Sequence, residues 1–185
     1  MARTPSTMSP LGIKAPDFQL PDTLNGNKDT ALNEIKGEKG TLVMFTCNHC
    51  PFVLHVNDEL VNIGQEYIGK GIGMAAISSN DIQNYPQDAP ALMTELGNRL
   101  GYSFPYLYDE TQEVAKAYDA ACTPDFFLYD SELNLVYRGQ LDDSRPGNSE
   151  PVNGKDLRAA MEALIAGQQI DTNQRPSLGC NIKWK

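Results

Sequence analysis

The chain has 185 residues, a net charge of -9, 41% hydrophobic residues and 21% charged residues. That length suits one domain whose core needs no disulfide staples. The acidic balance argues against nucleic acid or an anionic membrane surface as a partner, since both require a basic face. No apolar run approaches the roughly 20 residues of a membrane span, and the segment after Arg3 lacks the apolar stretch of a secretory leader. A reducing cytoplasm is therefore the expected compartment, where four cysteines point to catalysis or metal binding rather than structural bridges.

Residues 1–16, rich in Pro, Ser and Thr, read as an N-terminal arm; residues 17–170 read as one domain and residues 171–185 as a tail packed on it. Asp17 to Leu20 reads as a short strand, followed by a turn at Asn25-Gly26. Thr41 to Phe45 has the continuous apolar character of a buried strand. Phe52, Val56, Leu60, Ile63 and Tyr67 recur at helical spacing, which predicts a helix ending near Gly69. Ile72 to Ser78 is the next strand, and Asn80 to Pro90 a polar loop. A helix over Ala91 to Leu100, a strand over Phe104 to Tyr108 and a short helix over Glu110 to Tyr118 follow. Phe126 to Tyr129 and Leu135 to Arg138 form a hairpin about Asp130-Ser131-Glu132. A helix over Lys155 to Ala166 closes the order. Strands alternating with helices and then a hairpin predict an α/β layered domain with a central mixed sheet flanked by helices.

Chemistry concentrates at Cys47-Asn48-His49-Cys50, between the apolar strand and the amphipathic helix. Two cysteines two residues apart can close an intramolecular disulfide, and a strand–helix junction is a usual place for such a redox pair. The reading puts Cys47 at the helix entrance, where unsatisfied N–H groups and the helix dipole favour the thiolate, the nucleophile of disulfide exchange. His49 next to Cys50 would add a cation that stabilises the thiolate and makes the disulfide more oxidising. A zinc site is the alternative. Cys50 and His55 continue such a spacing, but the next ligand position is Leu60 and no second Cys-x-x-Cys exists, so no metal is expected. His55 is expected to be packed or solvated. Asp142-Asp143 lies in a turn-forming segment, read as a solvated loop lining a substrate groove.

Three blocks give the chain a family resemblance: Ile13-Lys14-Ala15-Pro16-Asp17-Phe18-Gln19-Leu20, Cys47-Asn48-His49-Cys50-Pro51, and Cys122-Thr123-Pro124-Asp125-Phe126-Phe127-Leu128-Tyr129-Asp130. Together they resemble the thioredoxin superfamily, near its peroxiredoxin-like or redoxin-domain branch, over about residues 11 to 170. The resemblance implies a thioredoxin-like fold in which Pro124 is a cis-proline facing the dithiol and Thr123 offers its backbone to an extended substrate segment. It also draws Cys122 towards the dithiol. Cys180, in a tail carrying Gly179 and Trp184, is a further candidate redox cysteine.

The chain departs from both parent patterns. With Cys50 at the peroxidatic position, Cys47 and Val43 replace the threonine and proline of the peroxiredoxin signature, and Pro124 stands where the arginine would be. Relative to thioredoxin, Thr46 replaces the tryptophan before the first cysteine and Thr41 the buried acid. The expected function is thiol–disulfide oxidoreduction, with Cys47 attacking, Cys50 resolving, His49 tuning and Thr123-Pro124 holding substrate. No organic cofactor is needed, because the electrons reside in the sulfurs. The partners are a disulfide-containing protein or small thiol substrate and a thiol electron donor. The alternatives are a peroxidase with Cys50 peroxidatic, resolved by Cys47 or Cys180, and a redox-sensing binding module.

Overall fold

The computed structural model describes residues 3–185; residues 1 and 2 of the expected arm lie outside the described residues. In chain order the strands and helices are β1 (Thr4–Pro5), β2 (Gln19–Asp22), β3 (Lys28–Ala31), α1 (Leu32–Ile35), β4 (Gly40–Phe45), α2 (Pro51–Tyr67), β5 (Ile72–Ser78), α3 (Pro90–Leu100), β6 (Tyr106–Tyr108), α4 (Glu113–Ala117), β7 (Cys122–Thr123), β8 (Asp125–Asp130), β9 (Leu135–Gly139), α5 (Lys155–Ile165) and β10 (Leu178–Asn181). A seven-stranded sheet runs in the order β3-β2-β6-β5-β4-β8-β9. Its β4–β5 and β5–β6 pairs are parallel and the others antiparallel, giving the mixed sheet of a thioredoxin-like α/β fold. No helix of the described residues is long and apolar enough to cross a membrane.

β4 is buried along its whole length. Side chains alternate across a strand, so Leu42 and Met44 enter the core beneath α2, α3 and α5, while Val43 and Phe45 enter the core on the opposite face. Val56, Leu60, Ile63 and Tyr67 of α2 meet the first core, at the spacing that places them on one helix face. These contacts fix where α2 begins relative to the end of β4, and hence where the two cysteines lie.

A second, three-stranded sheet runs in the order β1-β10-β7. It joins both termini to the body, so the arm is partly a strand: Thr4 pairs with Gly179 and Pro5 with Leu178. The tail passes from there across β7 and then buries Ile182 in the second core. Asp142 does not belong to a solvated loop. It is 1% exposed and accepts hydrogen bonds from the Ser144, Asn153 and Gly154 amides, while Asp143 pairs with Lys155 and Arg175. Both acids tie the segment before α5 in place.

Candidate active site

The helix entrance belongs to Cys50. α2 begins at Pro51, whose missing N–H is no loss in a first turn, and Cys50 is its N-cap in extended conformation. The Cys50 carbonyl accepts from the Val53 and Leu54 amides at 2.9 Å each. Cys47, expected at the entrance, lies instead in the turn between β4 and the helix. Proline at position 51 fixes this start, since it fits the first helical position but not the interior.

The two sulfurs share one partner residue. Cys47 Sγ is 3.4 Å from Thr123 Oγ1, and the Cys50 thiol donates to the Thr123 carbonyl at 3.1 Å. The Thr123–Pro124 peptide bond is cis. The adjacent Cys47 thiol holds Cys50 down to about 5, with the Cys180 and Thr123 side chains and the Val53 amide adding to this against burial. Ionisation gives up the bond to the Thr123 carbonyl, so that contact opposes the others. Cys47 moves the other way, well above the ordinary thiol value, through the Cys50 side chain, burial and the charge of Asp88. Both directions draw the thiolate towards Cys50, whereas the sequence pattern placed it on Cys47.

Asp88 was not foreseen. It ends a short 3-10 turn, Pro86–Asp88, inside the loop read as a polar connection, and no local pattern distinguishes it from other loop acids. It is fully buried. One oxygen accepts from the Asn48 amide at 2.8 Å; the other accepts from the Asn80 side chain at 2.8 Å and lies 2.7 Å from His49 Nδ1. The His49 ring stacks on Tyr85 at 5.6 Å between centroids. His49 thus has its Nδ1 side engaged by a carboxylate and does not stand free beside the dithiol. Cys47, His49 and Asp88 place ligand-type atoms within 4.8 Å of one another, the arrangement a metal ion would use. Both Asp88 oxygens are already engaged in hydrogen bonds, which suits proton handling.

Two further cysteines complete the picture. Cys180 packs with Cys47, Cys50, Phe52 and Val53 in one buried cluster, and burial together with the Cys50 side chain pushes its thiol up to about 12. Cys122 lies outside that cluster: its thiol faces the Pro124 carbonyl at 3.6 Å, and burial pushes it up. The resemblance implied a free backbone edge at Thr123. That edge is taken, since Cys180 of β10 pairs antiparallel with Thr123. His55 is half-buried on α2, and its Nε2 has no hydrogen-bond partner.

The Redoxin family model matches residues 10–157, and the chain belongs to that family. An uncharacterized conserved protein from Geobacillus kaustophilus is 53% identical over 100% of this chain and 97% of its own, with a TM-score of 0.98. A hypothetical protein from Sinorhizobium meliloti 1021 is 48% identical over 98% of both chains, with a TM-score of 0.95. At 16% identity the chain shares its fold with a putative thiol:disulfide interchange protein DsbE from Chlorobium tepidum, covering 85% of this chain and 99% of that one at a TM-score of 0.65. No functionally curated protein matches the chain significantly. Family, fold and neighbours together support a thiol redox function.

Proposed function

We propose that this protein is a thiol–disulfide oxidoreductase whose redox couple is Cys47 and Cys50, with Cys50 as the attacking sulfur. The observation that carries the reading is the pair's placement: Cys50 caps α2, Cys47 lies beside it, and both meet Thr123 of the cis-proline turn at 3.1 and 3.4 Å. The Cys50 thiolate attacks one sulfur of a substrate disulfide, forming a mixed disulfide and releasing a substrate thiolate. Cys47 then loses its proton and attacks Cys50 Sγ. The Cys47–Cys50 bond forms, the mixed disulfide breaks and the second substrate thiol leaves. The substrate gains two electrons and the pair loses two, which a thiol donor restores. The His49–Asp88 pair lies within 4.8 Å of Cys47 and serves as its proton acceptor.

The partners on this reading are a disulfide-bearing protein or small disulfide and a thiol donor, and no organic cofactor takes part. Insulin-type disulfide reduction should be measured beside peroxide consumption for the wild type, Cys47→Ser and Cys50→Ser. Disulfide turnover in the wild type, abolished in Cys50→Ser and reduced in Cys47→Ser, supports the reading. Peroxide consumed faster than disulfide, with Cys50 alone required, would favour the peroxidase reading instead.

A further inference from the structure

Neither redox sulfur reaches solvent: Cys47 is 1% and Cys50 0% exposed. What covers them includes the chain's own tail. β10 hydrogen-bonds along β7 with Cys180 opposite Thr123 and Asn181 opposite Cys122. The approach is too close for any side chain one residue earlier. A Cβ on Gly179 would lie 2.0 Å from the Thr123 carbonyl oxygen and 3.1 Å from the Pro124 nitrogen. On either side of this crossing the strand is tied down. The Ser177 hydroxyl donates to the Pro124 carbonyl at 2.7 Å, and the Lys183 amide donates to Asn80 Oδ1 at 2.8 Å. Asn80 in turn holds Asp88. An extended segment thus lies on the cis-proline edge and presents a cysteine to Cys50, which is what a protein substrate would have to do.

We propose that Cys180 is a third redox cysteine and that β10 is an internal substrate strand, exchanging disulfide with Cys50 in place of an external segment. The proposal rests on Cys50 being the reactive sulfur of the Cys47–Cys50 couple. Starting from the Cys47–Cys50 disulfide, the Cys180 thiolate attacks Cys50 Sγ. The Cys50–Cys180 bond forms, the Cys47–Cys50 bond breaks, and the proton lost by Cys180 ends on Cys47. One disulfide replaces another, so no oxidant or reductant is consumed. In the Cys47–Cys50 isomer β10 is held only by noncovalent contacts and can yield the edge to a partner. In the Cys50–Cys180 isomer the strand is tethered and the edge is closed.

A Cys47→Ser/Cys122→Ala protein leaves Cys50 and Cys180 as its two thiols, and oxidised glutathione is the probe. Cys50 first takes up glutathione; Cys180 then displaces it, giving a protein two hydrogens lighter and a Cys50–Cys180 peptide linkage on non-reducing mapping. Adding Cys180→Ser should preserve the glutathione adduct and slow release of the second glutathione by about tenfold or more, the loss of a positioned intramolecular thiol. A stable adduct on Cys50 while Cys180 is still present would overturn the internal-substrate proposal and leave the reactive Cys50 standing. No adduct and no linkage would overturn both. If the double variant does not fold by circular dichroism, mapping of the wild type at limiting reductant decides: a Cys50–Cys180 peptide supports the proposal, and its absence beside a Cys47–Cys50 peptide contradicts it.

Discussion

His49 Nδ1 lies 2.7 Å from a carboxylate oxygen of Asp88, and that buried acid also raises the Cys47 thiol. The two side chains therefore act on the dithiol with opposite sign. Asp88→Asn removes a negative charge that disfavours thiolates, stabilises the reduced pair and should shift the potential in the oxidising direction. His49→Ala takes from the carboxylate its ring partner at 2.7 Å and should shift the potential in the reducing direction. A tenfold change in the exchange constant corresponds to about 30 mV for this two-electron couple, and shifts of that order are expected. Equilibration with glutathione buffers measures both, and shifts of the same sign would contradict the opposition.

Cys50 should ionise well below an ordinary thiol, at about pH 5, mainly because of Cys47. Below that pH it is a thiol and alkylates slowly; above it the rate should rise and level off. Cys47 is raised and should remain largely unmodified through neutral pH. Iodoacetamide labelling against pH, read by peptide mapping, checks both. Cys47→Ala removes the main cause and should move the Cys50 midpoint upward.

Gly179→Val should unseat β10, because the Thr123 carbonyl occupies the space a Cβ needs. Exchange with peptide disulfides should accelerate several-fold as the edge opens. Trp184, 43% exposed and near Lys116, reports tail displacement by fluorescence. Slower exchange with a displaced tail would mean that β10 aids catalysis rather than covering it.

Arg138 is a fully buried cation. It pairs with the equally buried Asp125 at 3.2 Å, donates to the Asp119 carbonyl and the Ser9 hydroxyl, and lies over the Phe127 ring. Arg138→Met leaves Asp125 uncompensated in the interior, and the loss should be about 3–5 kcal/mol. Urea unfolding should show it as a lower midpoint. Arg138→Met/Asp125→Leu should recover part of the loss, since the orphaned charge is then gone.

Most of the central sheet was legible because its signals are local. Leu42-Val43-Met44-Phe45 is apolar throughout and is buried throughout, and the Val56, Leu60, Ile63, Tyr67 stripe marked α2. The elements that were not legible owe their form to distant partners. Lys28–Ala31 is polar and becomes β3 only by pairing with β2. Thr4–Pro5 becomes a strand by meeting Leu178 and Gly179 across the whole chain, and Cys180 and Asn181 extend that strand by meeting β7. At the site, the spacing of Cys47 and Cys50 brought the pair together on paper. Which one caps the helix depended on where Pro51 starts it. Asp88 carried no mark in sequence, because its role comes from burial against Asn48, Asn80 and His49.

Trapping of the mixed disulfide tests the central claim most directly, with Cys180→Ser in the background so that the tail cannot compete. A peptide disulfide incubated with Cys47→Ser/Cys180→Ser at neutral pH should leave a stable adduct, mapped to Cys50, because the attacking sulfur is kept and the sulfurs that could release it are gone. With Cys50→Ser/Cys180→Ser no adduct should accumulate. A stable adduct on Cys47 in the second protein, with none on Cys50 in the first, would contradict the account and make Cys47 the attacking sulfur.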